Sequence, residues 1–279
     1  MTKEGTLVHI EGRPALRFER RYAHPLQRVW RAVTDPGEMP AWFPSNVAGE
    51  RAVGAELVFA DDEQRTSSRE AGEPTYEGPV VRGRVVAYDP PNVFSFTWGG
   101  ELLRFELTPE GDGTVLVFTQ LLSHPSVAAR NGSGWHQCLA NLDALLGAGE
   151  PDDAGWQEVY EDYLERMGPD PGVPLEGGGL RWERGTHVSP DRVGEATADR
   201  AALEPWGAAD HADEPLRWDV EPTDHGSVYL LTHEGIAGDV ELAATWHALL
   251  LQLDMYLATG QLFPVDPEPW RKVYAECLD

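Results

Sequence analysis

Histidine changes charge near neutral pH, so the matched pair His136 and His247 is the first place to look for acid–base chemistry. Each directly follows a tryptophan, Trp135 or Trp246, that begins a helical pattern. One residue of advance turns a helical side chain about 100° from its neighbour, so both imidazoles are expected at solvent or at the helix start if the tryptophans face inward. His211, His225 and His233 lie near Asp210, Asp213, Asp224 and Glu234, the residue types that ligate transition metals. Their spacing is irregular and falls in predicted turns or strand ends, so no metal site is expected. Arg82, Arg84 and Arg104 would meet an anionic group if they pointed inward, but their alternation with apolar residues turns them to solvent. Asp112 reads as turn chemistry, and Asp143 and Asp254 as exposed helix positions. No Gly-rich phosphate loop, GxSxG elbow or HExxH pair is present. No catalytic residue and no cofactor are assigned, and a non-catalytic protein is favoured over an enzyme.

The elements that would position these groups come in two sets. Leu103-Arg104-Phe105-Glu106-Leu107-Thr108-Pro109, with Gly113-Thr114-Val115 after it, matches Leu216-Arg217-Trp218-Asp219-Val220-Glu221-Pro222 with Gly226-Ser227-Val228. Trp135-His136 with Leu139, Leu142, Asp143, Leu146 and Gly149 matches Trp246-His247 with Leu250, Leu253, Asp254, Leu257 and Gly260. Trp156 with Val159-Tyr160 is set against Trp270 with Val273-Tyr274, and Leu16 to Arg20 against Leu180 to Arg184. The alternation of Leu103, Phe105 and Leu107 with charged residues predicts a half-buried strand, and Gly111-Asp112-Gly113 a hairpin turn into the next. Trp135, Leu139, Leu142 and Leu146 fall on one helical face, with Asn131-Gly132-Ser133 read as a turn before it.

Residues of about 50 to 100 have no counterpart in the second set. They contain three strand-like runs, Ala55–Phe59, Pro79–Tyr88 and Val93–Trp98, and a charged loop over 61 to 75. The reading is a full domain over 14–167, a Gly/Pro-rich linker over 168–179, and a truncated repeat over 180–279. A sheet without its middle strands exposes an edge, so the repeat is expected to pack on the first domain or on a partner chain, a homodimer included. The helix from Ala243 to Thr259 is apolar on more than one face, as burial on two sides requires.

Lys+Arg 22 against Asp+Glu 47 gives a formal charge of −25, which repels nucleic acid and anionic membranes alike. No stretch approaches the ~20 apolar residues of a bilayer span and no signal sequence is seen, so a cytoplasmic protein is expected. Two cysteines, Cys138 and Cys277, provide no disulfide framework.

The first domain resembles the START-like (SRPBCC) superfamily, specifically the family named for activators of the heat-shock protein 90 ATPase. The resemblance rests on the strand Leu16 to Arg21, the segment His24 to Pro36 leading to Trp42-Phe43, and Gly83-Arg84-Val85 through Asp89-Pro90-Pro91. Phe94 to Trp98, Leu107-Thr108-Pro109 with Gly113-Thr114, and Gly134-Trp135 complete it. It implies an α+β helix-grip fold, a curved antiparallel sheet around a long C-terminal helix, here in tandem with a truncated second copy. It also implies a cavity between sheet and helix, walled by Trp42, Phe43, Phe96, Trp98, Phe105, Phe118, Trp135 and Leu139. Such walls suit a small apolar ligand, or are a solid core. Fold does not fix function, so a co-chaperone binding a heat-shock protein 90 type chaperone and a cyclase or hydrolase using the same cavity stand as alternatives.

Overall fold

The computed structural model describes residues 4–60, 81–98, 101–122, 125–150, 156–167, 171–186, 188–223, 226–236, 238–260, 262 and 264–278. The 61–75 loop, Asp224 and His225 therefore lie outside the described residues. The chain divides into two compact units, Met1–Leu122 with Ala128–Met167, and Ser123–Val127 with Gly168–Asp279.

In the first unit, eight antiparallel strands form one sheet in the order β1-β2-β8-β7-β6-β5-β4-β3. They are β1 (Thr6–Ile10), β2 (Arg13–Tyr22), β3 (Asn46–Ala48), β4 (Glu56–Ala60), β5 (Val81–Asp89), β6 (Val93–Trp98), β7 (Glu101–Glu110) and β8 (Gly113–Leu121). The period-two pattern is realised in β7, where Leu103, Phe105 and Leu107 are buried, and in β2, where Leu16, Phe18, Arg20 and Tyr22 are. Helix α1 (Leu26–Thr34) buries Val29, Ala32 and Val33, and Trp42 Nε1 donates to the Ala32 carbonyl at 2.9 Å, tying the following turn to that helix. Helix α2 (Ala128–Leu145) presents Trp135, Leu139 and Leu142 on its buried side, and α3 (Trp156–Met167) packs on it. Arg82, Arg84 and Arg104 do not enter the interior: Arg82 pairs with Glu56, Arg104 with Glu106, and Arg84 donates to the Gly54 carbonyl.

The helix holding Trp135 begins seven residues before that tryptophan, so Asn131-Gly132-Ser133 is helical and not a turn. Gly132 has a packing reason: a Cβ there would sit 2.6 Å from the Tyr163 ring.

In the second unit, four strands run in the order β11-β12-β10-β9: β9 (Val173–Leu175), β10 (Gly179–Thr186), β11 (Leu216–Thr223) and β12 (Gly226–His233). Read from β9, this is the connectivity of β1-β2-β8-β7. The segment read as linker is thus partly strand, β9 pairing with β10 at Leu175↔Gly179. Helices α4 (Pro190–Thr197) and α5 (Arg200–Leu203) follow β10, and Trp206 Nε1 donates to the Ala196 carbonyl at 2.8 Å, as Trp42 does to Ala32. The second unit therefore has counterparts of the front strand and the α1 region as well as of the hairpin and long helix; dissimilar loops hide this in the sequence. Long helix α6 (Val240–Thr259) is capped by Asp239, ends at Gly260 (φ +75°), and packs against α7 (Glu268–Cys277).

Candidate functional site

The eight aromatic and aliphatic residues expected to line the grip converge. Trp42, Phe43, Phe96, Phe105, Phe118 and Leu139 are 0–1% exposed and Trp135 4%. Their rings touch in a continuous series: Trp42 to Phe105 at 5.7 Å, Phe105 to Phe118 at 4.8 Å, Phe118 to Trp135 at 4.5 Å, and Trp135 to Trp98 at 5.9 Å between centroids. Phe43 sits at the hub, against Trp42, Phe96, Trp98 and Trp135, and Phe59 joins from β4. These are ordinary aromatic packing distances. The half-buried Trp98, at the end of β6, is where the series reaches toward solvent.

A polar group that sequence reasoning missed stands at that end. Trp135 Nε1 donates to Gln120 Oε1 at 2.7 Å, Gln120 Nε2 donates to Glu101 Oε2, and Asn131 Nδ2 donates to the same oxygen at 3.1 Å. Glu101 is only 9% exposed and Gln120 2%. The strand register makes this meeting: Glu101 opens β7, across from the end of β6, while Gln120 closes β8. The result is a carboxylate held beside the Trp98–Trp135 pair, able to accept a hydrogen bond from a bound molecule's N–H or O–H group.

The second unit carries the same arrangement with changed donors. Glu214, two residues before Leu216 as Glu101 is before Leu103, accepts from Trp246 Nε1 at 2.7 Å and faces His233 Nε2 at 2.8 Å and His211 Nδ1 at 2.5 Å. Although partial burial opposes it, hydrogen bonds from His211, Trp246 and His233 hold the Glu214 carboxyl below its usual pKa. His211 and His233, residues of metal-ligating type, thus share Glu214, and no metal-binding group of three is formed among the described residues.

His247 does not reach solvent as expected and His136 is half-buried, because α3 and α7 pack against the long helices. His136 Nδ1 lies 3.3 Å from the Tyr163 hydroxyl. His247 is 1% exposed, 2.9 Å from the Tyr274 hydroxyl and 3.2 Å from Arg184, and stacks on Trp270. Tyr163 and Tyr274 occupy the same place: they accept from the backbone N–H of Gly5 and Gly172 at 2.7 and 2.8 Å. The sequence match of Tyr160 with Tyr274 is therefore displaced by three residues, almost one helical turn.

Burial, reinforced by the Arg184 charge, pushes the His247 pKa well below its ordinary 6.5. The folded state then holds this ring neutral while the unfolded chain protonates it below about pH 6.5. The second unit should therefore lose stability as pH falls below that point, at up to about 1.4 kcal/mol per pH unit. Denaturation curves at pH 7.5 and 5.5 for the wild type and His247→Gln check this; the difference between the two proteins should shrink as pH falls.

Asp143 and Asp254, expected on exposed faces, are 1% and 4% exposed. Tyr22 donates to Asp143 Oδ1 at 2.9 Å, and Arg20 Nε approaches Oδ2 at 3.4 Å. Burial, then the Asp143 charge, drives the Tyr22 hydroxyl well above its usual pKa and keeps it a donor. In the second unit Tyr229 donates to Asp254 at 2.6 Å.

A family model described as Activator of Hsp90 ATPase homolog 1-like protein matches residues 23–147, the stretch that runs from the start of α1 through α2 and contains the aromatic series and Glu101. The first unit belongs to this family. Solved structures similar to the chain include CalU16 from Micromonospora echinospora, at 22% identity over 60% of this chain and 99% of that one, with TM-score 0.45. A Bordetella parapertussis protein shares 26% identity over 59% of this chain and 91% of its own, TM-score 0.45. A conserved Enterococcus faecalis protein of unknown function shares 19% identity, covering 58% and 90%, TM-score 0.46. No curated protein matches the chain. As an activator-homologue domain, the first unit has the α+β helix-grip architecture that the resemblance implied. No helix among its described residues, or those of the second unit, is long and apolar enough to cross a membrane.

Proposed function

We propose that the activator-homologue unit is a non-catalytic binding protein for a small apolar, planar molecule that carries one hydrogen-bond donor. The observation that carries this is the buried Glu101 carboxylate beside the half-buried Trp98 and the Trp135 ring, at the end of an otherwise wholly apolar aromatic series. A carboxylate kept at 9% exposure is expensive to desolvate, and its partners Gln120 and Asn131 hold it in place. Flat aromatic walls with one directional acceptor are the usual make-up of a small-molecule site. Because Phe43, Phe96 and Phe105 are packed ring to ring, the ligand seats at the Trp98 end and not in the middle of the grip.

The reading predicts that 1-naphthol binds the full chain and that Trp98→Ala weakens it at least about tenfold, through loss of a stacking wall. Glu101→Gln should weaken 1-naphthol by a similar factor while leaving naphthalene unchanged, since only the hydroxyl uses the carboxylate. Isothermal titration calorimetry of both compounds with the wild type and the two variants measures this. Failure of both compounds to bind, or equal loss of both in Glu101→Gln, contradicts the proposal.

A further inference from the structure

Among the described residues, strand β11 ends its sheet and pairs with β12 alone, whereas the strand in the same place of the first unit, β7, has β8 on one side and β6 on the other. We infer that the free edge of β11 pairs with β11 of a second copy of this chain, in antiparallel register about Trp218. The backbone geometry selects which groups take part. In the first unit the Leu107 N–H points to β6, donating to the Asn92 carbonyl at 2.8 Å, and Leu107 stands where Val220 stands in β11. In a strand, N–H and C=O of alternate residues point the same way, so Trp218 and Val220 present theirs outward.

Side-chain charge then selects the register. Arg217 and Asp219 are well exposed, 69% and 47% at the side chain, and within one strand they pair with each other at 2.9 Å. Centring the pair on Trp218 sets Arg217 opposite Asp219 of the second copy, twice by symmetry, with Glu221 diagonal to Arg217. A shift of two residues one way sets Arg217 opposite itself, and the other way Asp219 opposite itself, while a shift of one residue turns the apolar face outward. Pro222, which lacks an N–H, marks the end of the pairable stretch. Of these symmetric registers, the one centred on Trp218 alone sets opposite charges against each other.

Sedimentation velocity of the full chain under reducing conditions tests this. The wild type is expected to be a concentration-dependent dimer. Arg217→Asp, which sets like charges opposite at both ends, should weaken dimerisation at least about tenfold. The reciprocal swap Arg217→Asp with Asp219→Arg should restore it, and the exposure of both side chains leaves the fold intact, as circular dichroism will report. A monomeric wild type overturns the inference, and so does a dimer whose affinity ignores the single substitution or is not restored by the swap.

Discussion

Replacing Asp143 by alanine is expected to destabilise the first unit by about 3–5 kcal/mol, the cost of leaving one member of a buried ion pair unmatched. Arg20 is 5% exposed, and its other polar contact among the described residues is the Glu19 carbonyl at 3.2 Å. Losing the carboxylate strands a guanidinium between sheet and helix and also removes the acceptor of the Tyr22 hydroxyl. Replacing both charges and the hydroxyl by apolar groups of similar size, Arg20→Met with Asp143→Leu and Tyr22→Phe, should recover most of the loss, because it removes the desolvation costs along with the attraction. Hydrogen exchange at the amides of β2 and α2 distinguishes the cases. Protection unchanged in Asp143→Ala would show that the pair contributes nothing to the grip.

The second large effect is expected at Phe43. It is 0% exposed and lies 5.4–6.1 Å, centroid to centroid, from Trp98, Trp42, Trp135, Phe96 and Phe59. Truncation to alanine removes the ring's burial and leaves a void that rigid aromatic neighbours fill poorly, at a cost of about 3–5 kcal/mol. A void so lined is dry and binds small aromatics, so benzene should raise the denaturation midpoint of Phe43→Ala and leave the wild type unmoved. A loss below about 1 kcal/mol would mean the site collapses freely and that the rings do not form a close-packed core.

What could be read in the sequence and what could not divide along one physical line. Period-two alternation in Leu16 to Tyr22 and Leu103 to Leu107 declares strands, and the aromatic residues named for the grip meet because alternation alone sends them to one face. The strand Val93–Trp98 was legible to the residue. Polar side chains defeated the same logic. Asp143 and Asp254 read as solvent positions because a carboxylate on a helix normally is one, and the partners that justify their burial, Tyr22 and Tyr229, come from strands far away in sequence. His247 was sent to solvent because one helix has one inner face, until a second helix, α7, covers the outer one.

The Glu101 site was hidden for the same reason, since Gln120 and Trp135 approach it only once β7, β8 and α2 are assembled. A signal did exist. Extending the hairpin match by two residues sets Glu101 against Glu214, and following it onward sets Thr119-Gln120 against Thr232-His233. A carboxylate at matching places of two otherwise dissimilar segments, each beside a tryptophan, points to a structural demand that hydrophobic periodicity cannot register. The α1 region of the second unit escaped in a like manner: Val193, Ala196 and Trp206 take the places of Val29, Ala32 and Trp42, and Arg192 and Asp199 those of Arg28 and Asp35, but most residues around them differ.

The central claim is that the first unit seats a small planar molecule at the Trp98 end of its grip, oriented by Glu101. A crystal structure of the full chain grown with 1-naphthol tests it most directly. The account predicts a naphthyl ring against Trp98 and Trp135 with its hydroxyl at hydrogen-bond distance from a Glu101 oxygen. A ring bound elsewhere, or a Trp98 end left without the ligand at saturating concentration, would contradict it.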